Sequence, residues 1–326
     1  MNDTVTNESL TSLKALYQDS GLPLKWEPLF VTPVFMETWW GVFGGDSQLN
    51  CLSVRSGGNI IGIAPFMRRG AEVTFVGNPD VCDYFDCITV PGRENEFYGL
   101  LLDHLKKEGI TRLEMPSLRP DSTVLNFFAD TAVSRGCEVS FTPNDVSSEM
   151  PLPPTWDEYL GYLNTKQRHE VRRKLRRLEE AGTVRYYSVS TPVEVEERYD
   201  TFLRMFTESR DDKAEFLTGQ RETFFRSLGH NLSEAGMFRL GVLELNAAPA
   251  AMIMYFDYHN RIYLYNSGFE KEYDSLSIGL LSKVLSIRES IESGREAYDF
   301  LKGDEIYKSR LGGENVRLTD CTITVR

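Results

Sequence analysis

Apolar residues recur along this chain with two different periods, and each change of period marks a new element. Residues 30–44 are rich in Phe, Val and Trp, with Thr32 ahead of Pro33. That pattern predicts a helix capped by Thr32, with the proline at its first position, where the missing N–H is harmless, and a stop at Gly44-Gly45. Alternation follows. Residues 49–55 and 60–67 read as strands joined by the turn Ser56-Gly-Gly-Asn59, and 72–77 and 84–90 read as two short strands. A helix at 94–108, a strand at 112–115, a helix at 124–135 and a strand at 137–142 complete a mixed α/β layer. The lead-in, 1–24, is polar, with one weak amphipathic turn through Leu10, Leu13, Leu16 and Tyr17.

Pro151-Leu-Pro-Pro154 enforces extended chain and breaks any helix, so it predicts a boundary between a domain at 25–150 and a second at 151–326. The second repeats the coarse plan of the first. Thr155 and Glu158 form a capping-box spacing that opens a helix running to Gly182. A strand at 184–189, helices at 193–209 and 218–234, and strands at 238–245, 250–258 and 261–267 follow, the last two joined at His259-Asn260. With a period of two, Tyr263, Tyr265 and Ser267 share one face, and Leu264 and Asn266 the other. Next come a long helix ending near Gly294, a strand at 297–301 and a polar loop at 302–312. The alternating tail 316–325 reads as a last strand able to pack back across the domain interface.

Length and charge narrow the function. A chain of 326 residues suits two domains, and 41% apolar with 26% charged residues is ordinary for a soluble globular protein. A net charge of −12 argues against general nucleic-acid binding, although a local basic stripe can still hold phosphate. Five cysteines, odd in number and without C-x-x-C spacing, argue against a disulfide framework or a zinc site. The four histidines form no cluster with them, so no metal is expected. No signal peptide or membrane-spanning run is visible, and a cytoplasmic setting is expected.

The residues with chemistry to offer gather near the end of the chain. Arg261-Ile-Tyr-Leu-Tyr-Asn-Ser-Gly268 leads into Tyr273-Asp-Ser-Leu-Ser-Ile-Gly-Leu-Leu281, and a later strand ends in Asp299-Phe300-Leu301-Lys302-Gly303-Asp304-Glu305-Ile306-Tyr307-Lys308. This strand–turn–helix–strand–loop unit resembles the closing half of a GNAT-superfamily acyltransferase domain. The D-F-x-x-G-D-x-x-Y-K string is similar to that of the CelD-type branch, which is related to the Fem-type transferases. The resemblance is strong over 155–315 and weaker over 25–150. It implies two tandem GNAT-like domains, each a mixed central sheet flanked by helices.

The resemblance also implies roles. In a GNAT fold the turn before the helix holds the pyrophosphate of coenzyme A on glycine backbone N–H groups and the helix N-terminus. Here the usual glycine pattern is reduced to Gly279, while Ser275 and Ser277 can cap the helix or bond a phosphate. Asn266 and Ser267 are candidate contacts for the donor's pantetheine arm, and Tyr265 lines the cleft. Tyr307 can protonate the departing thiolate, Asp304 or Asp299 can accept a proton from the acceptor, and Lys308 can stabilise negative charge or hold a phosphate. A solvated loop with Tyr307 as a buried plug, and Asp299 as a structural strand residue, are the competing readings.

Lys166-Gln-Arg-His-Glu-Val-Arg-Arg-Lys-Leu-Arg-Arg177 packs seven Lys and Arg into twelve residues, with Val171, Leu175 and Leu178 marking its inner face. It reads as a solvated basic helix or as a cationic wall for an anionic substrate, with Arg168 and Arg172 at the positions that match the CelD branch. Asp83 and Asp86, in Asp83-Tyr-Phe-Asp86, either contact substrate or hold a structural turn. The expected activity is transfer of an acyl group from acyl-CoA to an amine or hydroxyl of a polar small molecule or saccharide, by direct attack. A Fem-like aminoacyl-tRNA-dependent transferase and a catalytically silent binding module are the alternatives. Nucleic acid enters only as tRNA under the first of these.

Overall fold

The structure is a computed structural model, and it describes residues 3–325. The described residues divide into two compact units, one of residues 3–146 with 316–325 and one of residues 147–315. In chain order the elements up to the division are β1 (Thr4–Glu8), α1 (Leu10–Gln18), α2 (Pro33–Phe43), β2 (Gln48–Ser56), β3 (Asn59–Arg69), β4 (Glu72–Phe75), β5 (Ile88–Thr89), α3 (Glu94–Lys107), β6 (Arg112–Leu118), α4 (Ala129–Ser134) and β7 (Glu138–Pro151). Those that follow are α5 (Trp156–Tyr162), α6 (Thr165–Ala181), β8 (Val184–Val189), α7 (Pro192–Ser209), α8 (Asp211–Phe216), α9 (Gly219–Glu234), β9 (Phe238–Leu245), β10 (Ala248–Tyr258), β11 (Arg261–Phe269), α10 (Ile278–Glu292), β12 (Ala297–Lys302), α11 (Ile306–Arg310) and β13 (Glu314–Thr324).

In the first unit the strand order is β1-β2-β3-β4-β6-β13, antiparallel except for the parallel β4–β6 pair. β1 does not stand out in the polar lead-in because Val5 is the single apolar residue among its five. It owes its place to five paired positions along β2. The helix expected at 124–135 is split, with a π-helical turn at Val124–Phe128 ahead of α4.

In the second unit residues 147–151 of β7 pair with β12, and the order continues β12-β11-β10-β9-β8. β10 is covered on both faces, with Ala250, Ala251, Met252, Ile253, Met254, Tyr255 and Phe256 all buried, as a central strand requires. The β10–β11 hairpin turns at His259 and Asn260, whose φ values of 49° and 57° suit a tight two-residue turn. The single helix expected up to Gly182 is two. Asn164 is extended and accepts from Gln167 N at 3.0 Å, while the Gln167 side chain accepts from Asn164 N at 3.0 Å. This capping box starts α6 afresh. Val171 and Leu178 of α6, Tyr159 and Leu160 of α5, and Ile278, Leu281, Val284 and Ile287 of α10 form one core against Leu243, Ile253, Tyr255 and Leu264 of the sheet.

Two features of β11 shape the site. Met254 pairs with Asn266 but Tyr255 with Leu264, so Tyr265 is an extra residue in a β-bulge. The bulge reverses the alternation beyond it. Tyr263 and Tyr265 do share a face, but Ser267 joins Leu264, opposite Ile253, and Asn266 crosses to the other side, opposite Met254. The expected grouping of Tyr263, Tyr265 and Ser267 is therefore corrected. Secondly, β11 and β12 pair in parallel only from Arg261↔Ala297 to Tyr263↔Asp299 and then separate.

Candidate functional site

Where β12 leaves β11, the motif at 299–308 folds into a tight turn. Leu301 has φ 61°, a left-handed conformation costly for a leucine. Asp299, 1% exposed, accepts the Leu301 N–H at 2.8 Å. Lys308, 2% exposed, donates to Leu301 O at 2.9 Å, to Lys302 O and to Gly303 O at 3.1 Å, and meets Glu305 Oε2 at 2.9 Å. An ammonium has three donors, and these acceptors use all of them. The charge-stabilising or phosphate-holding role expected for Lys308 is thus corrected: the group ties carbonyls of a strained turn. Asp299 likewise serves the turn, while Asp304 is exposed. Tyr307 packs edge-on to Phe300, and burial pushes its hydroxyl well above the ordinary tyrosine range, so it remains a proton donor.

On the other side of the separation, β11 runs through a 3-10 turn, Lys271–Leu276, into α10. Ser277 stands at φ 58° and makes no side-chain cap. Its hydroxyl instead accepts from the Lys174 ammonium, and Arg177 donates to Ser275 O at 3.4 Å. The α10 N-terminus, with its inward partial positive charge, therefore has two cations of α6 beside it. Arg168 and Arg172, singled out from the sequence, are not the residues that reach this turn; Arg172 is exposed and Arg168 half-buried. Gly279 is a packing glycine, since a Cβ there would lie 2.8 Å from the Phe269 ring.

Between the separated strands lies a group the sequence reading missed. Lys283 of α10 is buried and donates to Ser267 Oγ at 3.0 Å and to Gly279 O at 2.9 Å. Lys213 of α8 donates to Ser267 O. The Lys283 ammonium also sits 5.2 Å over the Tyr307 ring. The signal for Lys283 was present: it falls four residues from Gly279 and Ile287, on the inner face of α10, where the apolar period has no use for a cation. For Lys174 and Ser277, a hundred residues apart in sequence, there was none.

Burial pulls Lys283 down to about 7, helped by the charge of Lys213, and pulls Lys213 down to about 8, helped by Arg210. Between these values and the ordinary lysine value, the unfolded chain holds more protons than the folded one, so stability rises with pH across that window. The groups facing the pair are Lys308, Glu305 and Tyr307, with Arg210 and Asp212 beside Lys213. Lys283→Met is expected to raise the melting temperature most at pH 6, with the gain over wild type shrinking by pH 9. Melts of both proteins across that range check it; a constant difference would contradict a depressed Lys283.

Two expected substrate residues lie in the first unit. Asp86 is buried, and its carboxylate accepts from Thr123 N at 2.7 Å, Thr123 Oγ1 at 2.8 Å, Cys87 N at 2.9 Å and Val124 N at 3.2 Å. These bonds anchor the start of the helical segment at 124, so Asp86 is structural rather than a substrate contact. Asp83 is half-buried in the same loop. Tyr265 packs on Phe225 and Phe256, and Asn266 is half-buried. Among the described residues no group of His, Cys, Asp and Glu is arranged to hold a metal, and no helix is long and apolar enough to cross a membrane.

Comparison with known proteins agrees with this architecture. The family model for an acetyltransferase (GNAT) domain matches residues 165–309. No curated protein matches the chain in sequence. Among solved structures, FemX superposes with a TM-score of 0.65 at 13% identity, covering 98% of this chain and 96% of its own. L-PGS from Bacillus licheniformis gives 0.56 at 10% identity over 88% and 90%. A tandem GNAT protein from the clavulanic acid biosynthesis pathway gives 0.51 at 14% identity over 98% of both chains. At such identities the likeness is one of fold. Residues 165–309 carry a GNAT acetyltransferase domain, and the chain as a whole shares its fold with FemX and with a tandem GNAT protein.

Proposed function

We propose that the second unit transfers an acyl group from acyl-CoA to an amine or hydroxyl of a polar acceptor, in a cytoplasmic setting. The observation that carries this is the start of α10, where the helix N-terminus, Lys174 and Arg177 converge on the Ser275–Ser277 turn. Helix N-termini with added cations suit phosphate. Lys174 and Arg177 make up in side-chain charge for the glycines missing from this turn. The donor brings an activated thioester, and the chain's own residues hold and orient it. The separated edges of β11 and β12 offer backbone groups to an extended arm, and Tyr307 is a neutral hydroxyl able to donate a proton. Positioning supplies most of the acceleration in such direct transfers. Asp304 is proposed to take the acceptor's proton, being the exposed carboxylate of the motif.

The test is calorimetric titration with acetyl-CoA, longer acyl-CoAs and free coenzyme A. Micromolar, stoichiometric binding is expected, and no binding at millimolar ligand would sink the reading. A second reading draws on the fold likeness to FemX: an aminoacyl donor carried on tRNA, for which the basic α6 supplies charge. Binding of aminoacyl-tRNA with a steep salt dependence, in a chain that ignores acyl-CoA, would favour it. Binding of acetyl-CoA without turnover over a broad acceptor screen would favour a silent module.

A further inference from the structure

Lys213, Lys283 and Lys308 gather around the separation of β11 and β12, with Glu305 as the one carboxylate bound among them. Glu305 is committed to Lys308. Neither Lys213 nor Lys283 has a carboxylate partner among the described residues. Both ammonium groups point at the same residue, Ser267, one at its hydroxyl and one at its carbonyl. Lys283 has one N–H not committed to a protein acceptor and Lys213 has two. Burying cations whose nearby carboxylate, Glu305, is already bound to Lys308 costs stability, and apolar side chains of similar volume would pack here at less cost. A chain whose net charge is −12 nevertheless concentrates them at one point.

Resting on the acyl-transfer reading of the same site, we propose that Lys213 and Lys283 form an oxyanion-binding clamp for the acceptor, which is therefore a molecule bearing a carboxylate or phosphate. Lys283 sits over the Tyr307 ring and both ammonium groups feel Glu305 of the β12–α11 turn, whereas the phosphate cradle assigned to the donor lies at Ser277 with Lys174 and Arg177. An anion held beside Ser267 adds the counter-charge that Glu305, bound to Lys308, supplies only in part, and it lies on the side of Lys283 that carries Tyr307. Since both lysines are pulled down by burial, a bound anion draws protons onto them, and binding near pH 8 takes up protons from solution.

The test titrates the full chain by calorimetry with malonate and, separately, with inorganic phosphate, each without and with saturating acetyl-CoA. Malonate or phosphate is expected to bind in the millimolar range or tighter, with or without acetyl-CoA. Heats are expected to differ between buffers of different ionisation enthalpy as protons are taken up. Lys283→Met and Lys213→Met are each expected to weaken this at least ten-fold, while exposed Lys14→Met leaves it unchanged. If Lys283→Met fails to fold, the half-exposed Lys213→Met carries the comparison. Preference for malonate identifies a carboxylate acceptor, and preference for phosphate a phosphorylated one. No anion binding, or binding indifferent to both lysines, overturns the clamp while leaving acetyl-CoA binding as its own measurement. Anion binding abolished by acetyl-CoA overturns the acceptor assignment. Anion binding through both lysines in a chain that ignores acetyl-CoA keeps the clamp and removes the coenzyme A reading.

Discussion

Lys174→Ala and Arg177→Ala together are expected to weaken acetyl-CoA binding about 30-fold, which corresponds to roughly 2 kcal/mol. The magnitude follows from the setting. Charge-assisted contacts to phosphate are the stronger hydrogen bonds, but these two cations lie at the surface, where solvent and salt reduce each to about 1 kcal/mol. Lys174, with its side chain 17% exposed, should account for more of the loss than the exposed Arg177. Both side chains leave the α6 core contacts of Val171 and Leu178 untouched, so the melting temperature should stay within a few degrees. Calorimetry on the single and double variants, at two salt concentrations, checks this. Unchanged affinity in the double variant would remove α6 from the donor site. Loss in Arg168→Ala or Arg172→Ala instead would restore the residues that the sequence pattern pointed to.

Gly268→Ala is expected to cost about 3 kcal/mol, at the upper end of ordinary overpacking. A Cβ at this position would lie 2.3 Å from Phe206 N and 2.4 Å from Met205 C. Both atoms belong to the backbone of α7, which cannot turn aside as a side chain can. Either α7 moves off β11 or β11 closes toward β12. Each displaces the Ser267 carbonyl to which Lys213, just beyond α7, is bound. For a unit of this size the melting temperature should fall by about 9 °C. Gly279→Ala is the informative contrast, because its Cβ would meet the Phe269 ring at 2.8 Å, a side chain able to shift, while alanine favours the helix. A cost for Gly268→Ala no larger than for Gly279→Ala would show that α7 and β11 can part to admit a methyl group.

Much of this protein could be read along the chain because the determining interactions are local. Apolar periodicity located α3, α7, α9 and α10 and most of the strands, and the His259-Asn260 hairpin follows from residues that accept left-handed backbone. The GNAT character of the second half was legible in the motif at 299–308, since its turn is held largely within ten residues: Asp299 on Leu301, Lys308 on the carbonyls between. The break between α5 and α6 is equally local, set by Asn164 and Gln167, although the glycine stop at Gly182 is the stronger sequence signal.

What needed the tertiary structure was the use each polar group is put to. A one-residue bulge at Tyr265 moved Ser267 to the other face of β11, and no strand pattern announces where a partner strand will skip a residue. Lys308 and Asp86 look like reactive groups in sequence and are spent on backbone donors and acceptors. Lys174 reaches Ser277 across 103 residues, and Lys213 and Lys283 meet at Ser267 from two different helices. Sequence reports a side chain's chemistry and its local period, whereas availability and partnership depend on the burial and direction that only packing imposes.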